Sequence, residues 1–123
     1  GRLGVARDDV VERHVHAARL AHAYGARIIV DAAQLIAHRA IDMRAHDDPA
    51  HLDFVVFSGH KVYAPYGAGA LVGDASVLDR GEPLLVGGGA VQIVTRDTVM
   101  WERAPDRDEA GSPNVVGAVA LAV

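Results

Sequence analysis

The sequence predicts an α/β fold, and three observations carry that reading. A stretch with helical periodicity ends at Gly25, two short apolar runs follow it, and each run stops abruptly at polar residues. Helix, strand, connection, strand is the rhythm of a sheet with helices packed on it.

The helix comes first. Val11, Val15, Ala18 and His22 recur three and four residues apart, as do Val10, His14, Ala17 and Ala21, which is the period of a helix face. Asp8 and Asp9 stand where N-caps belong, so the pattern predicts a helix over 10–24 with Gly25 as its stop. Arg27-Ile28-Ile29-Val30 is then a β-branched run of the kind buried on both faces of a sheet, and Asp31 ends it. Phe54-Val55-Val56-Phe57 is a second such run, ended by Ser58-Gly59-His60-Lys61. A third, Ala70-Leu71-Val72, lies between glycines. The Ala/Val-rich run from Val115 to Val123 opens like a helix and meets no stop signal, and the chain starts at Gly1 without a Met. The expectation is that residues 1–123 are one piece of a longer protein, truncated at both ends.

Composition narrows the function classes. The length of 123 residues suits one domain, and half of the residues are apolar. Twelve basic side chains stand against sixteen acidic ones, and the basic ones are scattered, which argues against nucleic acid and against a polybasic membrane patch. There is no cysteine, hence no disulfide and no Cys nucleophile within these residues. No apolar stretch nears the ~18 residues that span a bilayer, and no signal-peptide pattern opens the chain, so the cytoplasm is the expected location.

Ligands of open α/β sheets sit beyond the carboxyl ends of the strands, and the polar residues gather there. Asp31 and Gln34 could hold a heterocyclic cation and a neighbouring oxygen, although an Asp and a Gln at this spacing more often form a turn. Ser58-Gly59-His60-Lys61 is more specific, since a hydroxyl and an imidazole beside a lysine can bind phosphate while the amine does covalent work. Lysine is the side chain that forms Schiff bases with carbonyls. Lys61 is the single lysine of the chain, and it follows a strand read as buried.

Taken in order, Val30-Asp31-Ala32-Ala33-Gln34, Asp53 to Lys61, Gly67-Ala68-Gly69-Ala70-Leu71 and Glu109-Ala110-Gly111-Ser112-Pro113-Asn114 resemble the class V aminotransferase family. That family includes the cysteine desulfurases and has the pyridoxal-phosphate (PLP) fold type I architecture. The resemblance runs from about Asp9 to Val123. It implies a part of the fold type I (aspartate aminotransferase-like) large domain, with a mainly parallel sheet and helices on both faces. It further implies that Lys61 carries PLP as a Schiff base and shuttles the proton at the substrate α-carbon, and that Asp31 pairs with the pyridine nitrogen. A negative charge there keeps that nitrogen protonated and the ring an electron sink. By the same resemblance Gln34 bonds the ring's phenolic oxygen, and Ser58 and His60 bind the phosphate. Ser112 stands where relatives usually have Thr, whose hydroxyl reaches the phosphate of a neighbouring subunit, which implies a homodimer. Asp108 departs from the family pattern, which favours Phe there, and leaves the packing of that loop open. Gly87-Gly88-Gly89 matches a loop near the active-site entrance, and a gating loop and an ordinary turn fit it equally.

Other chemistries fit less well. His14 and His16 point to different faces of a helix. His38, His46 and His51, with Asp42, Asp47 and Asp48, lack a recognised ligand spacing and read as a solvated loop, so no metal is expected. The glycines form neither a dinucleotide fingerprint nor a P-loop. Trp101 reads as a packing or interface residue. The chain is therefore expected to be the cofactor-binding core of a PLP-dependent enzyme acting on an amino acid, by transamination or sulfur transfer. The alternative is a catalytically inactive relative kept as a binding or assembly scaffold, which predicts loss of Lys61 or Asp31; both are present.

Overall fold

The computed structural model describes residues 5–123, with side chains from Val10 onward. Helix α1 spans Val5–Ala23. It therefore begins upstream of the Asp8–Asp9 pair expected to cap it, where Ala6 and Arg7 are good helix formers. Its end is where the sequence puts it. Gly25 takes a positive φ of 68°, its N–H donates to the His22 carbonyl at 3.0 Å, and the Ala26 N–H donates to the Ala21 carbonyl at 2.9 Å. These paired bonds close a Schellman motif, and a residue without a Cβ adopts that backbone at least cost.

Strand β1 (Ile29–Asp31) pairs in parallel with β2 (Phe54–Ser58), with Val30 opposite Val55 and Asp31 opposite Val56. Strand β3 (Gly69–Gly73) adds to the other side of β2 antiparallel, with Ser58 opposite Gly69 and Phe54 opposite Gly73. The sheet of the described residues is thus mixed, in the order β1-β2-β3. The one parallel pair fixes the direction of both chemistry-bearing strand ends.

The core forms where α1 crosses the sheet. Ala18 is fully buried against Val30, Ala32, Leu52 and Val55, with Ile28, Leu35, Ile41, Met43 and Phe57 packed around them. The opposite face of the sheet carries Ile29, Val56 and Leu71, which are exposed. Beyond β3 lie the short helix α2 (Ala75–Leu78), the hairpin β4 (Val91–Val94) and β5 (Val99–Trp101), and helix α3 (Val115–Ala122). Trp101 sits in that hairpin opposite Val91, half-buried. Among the described residues, no helix is long and apolar enough to cross a membrane.

Candidate functional site

Because β1 and β2 run parallel, their carboxyl ends meet at one edge of the sheet. Asp31 closes β1 and Ser58 closes β2. Strand alternation sets Asp31, Val56 and Ser58 on the same face, the one α1 leaves uncovered. The chain leaves β2 directly into a 3₁₀ turn, Gly59–Val62, that carries His60 and Lys61. Sheet order and strand direction therefore bring together four of the six expected site residues.

Their bonding leaves the polar groups available. One Asp31 carboxylate oxygen accepts the Ala33 N–H at 3.0 Å, which fixes the side chain at the head of the following turn. Gln34 lies exposed on that turn. Ser58 occupies the N-cap of the 3₁₀ turn, but its hydroxyl makes no capping bond. Lys61 is half-buried, and among the described residues its ammonium has no hydrogen-bond or ion-pair partner. The His60 ring stacks on Tyr66 with centroids 4.9 Å apart.

Ser112 arrives from another part of the chain. The Gly59 N–H donates to the Ala68 carbonyl at 2.8 Å, so the glycine stretch after the lysine turn folds back on it. Gly67–Gly69 line one cleft of about 240 Å³ together with Glu109, Ala110, Gly111, Pro113 and Asn114. Asn114 caps α3 by accepting the Gly117 N–H at 3.0 Å, and α3 packs on the 3₁₀ turn. Ser112 thus lies on an exposed loop bordering the lysine turn, without joining Asp31, Ser58, His60 and Lys61 at the sheet edge. The triple glycine rests against the same loop, where the Gly111 N–H donates to the Gly88 carbonyl at 2.7 Å. Asp108, at the position of the unusual acid, is exposed, and its neighbour Arg107 turns inward instead. The Arg107 guanidinium donates to the Asp79 carbonyl at 2.9 Å and to the Gly81 carbonyl.

A second polar cluster sits at the opposite edge of the sheet. His22 of α1 donates from Nε2 to Asp53 Oδ2 at 2.9 Å and from Nδ1 to the Pro49 carbonyl at 2.9 Å. The Ile28 N–H donates to the same Asp53 oxygen at 2.9 Å. His51 stacks on His22 at 4.3 Å, anchors its Nδ1 on the Asp48 carbonyl at 2.7 Å, and brings Nε2 to 3.6 Å from the other Asp53 oxygen. The bond to Asp53, then that to Pro49, raises the His22 pKa above its ordinary value. Burial pushes the Asp53 carboxyl up, but the bonds from His22 and Ile28 and the nearby imidazole charge outweigh it and hold it below the usual range. An acceptor faces each ring nitrogen of His22, which favours the protonated ring, and the trio is a brace in which α1, the start of β1 and the start of β2 share one carboxylate. Sequence reasoning missed it, because His22 and Asp53 lie 31 residues apart and each looks ordinary alone. His51, read there as part of a solvated loop, is instead largely buried, with its side chain 13% exposed.

The family model for class-V aminotransferases matches residues 10–123. A probable cysteine desulfurase of Vibrio cholerae is 46% identical over 102 residues, covering 83% of this chain and 24% of that protein. A cysteine desulfurase of Synechococcus elongatus is 43% identical over 102 residues, again 83% of this chain and 16% of the relative. Among solved structures, the cysteine desulfurase CsdA from Escherichia coli superimposes with a TM-score of 0.77 at 38% identity, covering 87% of this chain and 26% of that one. The chain therefore spans about a quarter or less of the length of these relatives. Its α/β architecture is that of the PLP fold type I large domain. With the motifs in order and a family match over nearly all of its length, the chain belongs to the class-V aminotransferase family.

Proposed function

We propose that this chain is the cofactor-binding core of a PLP-dependent enzyme that acts on an amino acid, with desulfuration of cysteine as its reaction. The observation that carries the reading is the parallel pairing of β1 with β2, which puts Asp31 and the Ser58–Lys61 turn at one sheet edge. The names of the relatives supply the reaction type.

The donor set fits the group chemically. It offers an amine without a competing partner, a carboxylate with one oxygen uncommitted, a hydroxyl not spent on capping and an imidazole. When bound, PLP supplies an electron sink conjugated to the substrate's α-carbon. Lys61 would hold the cofactor through its amine and, when free, would serve as the base for the substrate's α-proton. Asp31 keeps the ring nitrogen protonated, and its bond to the Ala33 N–H limits how far the carboxylate can swing. Gln34 bonds the ring's phenolic oxygen, and Ser58 and His60 hold the phosphate. Ser112 serves the phosphate across a homodimer interface. The complete protein is a cytoplasmic enzyme in this reading.

The test uses the complete protein. It is loaded with PLP; one portion is reduced with borohydride and mapped, and an unreduced portion is assayed, with a thiol reductant present, for alanine and sulfide formed from cysteine. A pyridoxyl group on Lys61 with sulfide release is the expected result. A folded protein that takes no label would refute the proposal and leave the scaffold reading. A label without sulfide release would keep the cofactor assignment and refute the cysteine substrate.

A further inference from the structure

Tyr66 is 83% exposed, yet its ring is held in place. The loop that carries it is tied on both sides to Gly59, the residue between Ser58 and His60. The Ala64 N–H donates to the Gly59 carbonyl at 3.1 Å, and the Gly59 N–H donates to the Ala68 carbonyl at 2.8 Å. Ala64 is buried at the near end of that loop. Tyr66 stands at the apex, and its ring lies on His60 with centroids 4.9 Å apart and planes 22° from parallel.

The stack covers one face of an otherwise exposed imidazole and leaves its edge nitrogens open. A free surface histidine samples several rotamers, and ordering it costs part of the affinity of anything it binds. An aromatic platform removes that cost in advance, and it favours the ring further when both nitrogens carry protons to donate to an anion.

We infer that Tyr66 is a positioning residue for cofactor binding. It holds the His60 imidazole in the orientation from which His60 binds the phosphate of PLP, and it acts through His60 without touching the phosphate. This rests on the function proposed above.

The test titrates the cofactor-free complete protein with PLP and, separately, with pyridoxal, which lacks the phosphate. Tyr66→Ala should weaken PLP binding by about two- to tenfold, the range of an aromatic pair, and leave pyridoxal binding unchanged. Tyr66→Phe should restore PLP affinity. In a His60→Ala background, Tyr66→Ala should add nothing, because the partner through which it acts is gone. Without any cofactor, Tyr66→Ala should also remove the ring-current shift of the His60 ring protons in NMR. Equal losses for PLP and pyridoxal, or an undiminished penalty in the His60→Ala background, would overturn the inference. Borohydride labelling of the parent separates the two levels. An unlabelled Lys61 defeats the proposed function itself, whereas a labelled Lys61 with equal losses defeats only the role of Tyr66.

Discussion

Asp53→Asn tests the brace between α1 and the sheet, and its size follows from the bonds on the page. Asp53 accepts from His22 and from the Ile28 N–H, both at 2.9 Å, and its side chain is only 11% exposed. Asparagine keeps the shape and one oxygen able to accept both bonds, but it loses the charge. A hydrogen bond to a charged group is worth about 1.5–3 kcal/mol, so the substitution should cost about 2 kcal/mol. The pH dependence has a definite sign. The raised pKa of His22 contributes stability that is fully present below the unfolded value of 6.5 and is lost as pH rises through the folded value. The lowered pKa of Asp53 contributes stability present above 3.8 and lost as pH falls through its folded value. The gap between parent and Asp53→Asn should therefore be widest between those two pH values and narrow on the alkaline side. Urea unfolding of the complete protein at several pH values measures it. A gap below about 0.5 kcal/mol at pH 6, or one that widens from pH 6 to 9, would refute the imidazolium–carboxylate account.

Three other substitutions test separate features. Gly73→Ala places a Cβ onto the Phe54 ring and 2.6 Å from the Asp53 carbonyl oxygen. Strand β3 must shift to admit it, and thermal unfolding should show a loss of about 1–3 kcal/mol. Arg107→Lys keeps the charge but loses the fork that reaches two carbonyls, Asp79 and Gly81. It should cost about 1–2 kcal/mol, and an unchanged denaturation midpoint would refute that anchoring. Lys61→Ala should abolish the borohydride label while the far-ultraviolet circular dichroism stays that of the parent; turnover should drop on the order of 10²-fold or more, the usual worth of a positioned acid–base group.

The elements legible in the sequence were those whose signal is local. The helix stop at Gly25 needs only a residue that accepts positive φ, and β1 and β2 announce themselves as β-branched runs cut off by Asp31 and Ser58. The site at the sheet edge follows from those two ends once the strands are taken as parallel. The β4–β5 hairpin was missed although its cues are present. Val91 to Val94 and Val99 to Trp101 flank a polar turn, in which Thr95 Oγ1 accepts the Thr98 N–H at 3.0 Å. Trp101, read as a packing or interface residue, is its last residue. The antiparallel direction of β3 was not legible, since Ala70-Leu71-Val72 reads the same either way. The brace and the buried Arg107 were invisible for a deeper reason. Their partners lie 25 to 31 residues away, and only the completed chain path brings a carboxylate or a carbonyl to meet them.

The brace and the lysine turn occupy the two ends of the same five-residue strand, about 17 Å long. Parallel strands can slip by one residue, and a one-residue slip sends every side chain to the other face. The bond from the Ile28 N–H to Asp53, at the entry to both strands, pins β1 against β2 before either reaches its polar end. Together with the bonds from the Phe54 N–H to the Ile28 carbonyl at 3.1 Å and from the Ala32 N–H to the Val56 carbonyl at 2.8 Å, it helps fix which face Asp31 presents. Loosening it leaves every site residue in place along the sequence, yet permits a slipped sheet in which the carboxylate faces α1 while Ser58 and Lys61 remain where they were. A bond at the entry to the two strands thus bears on how the polar residues at their far ends face each other.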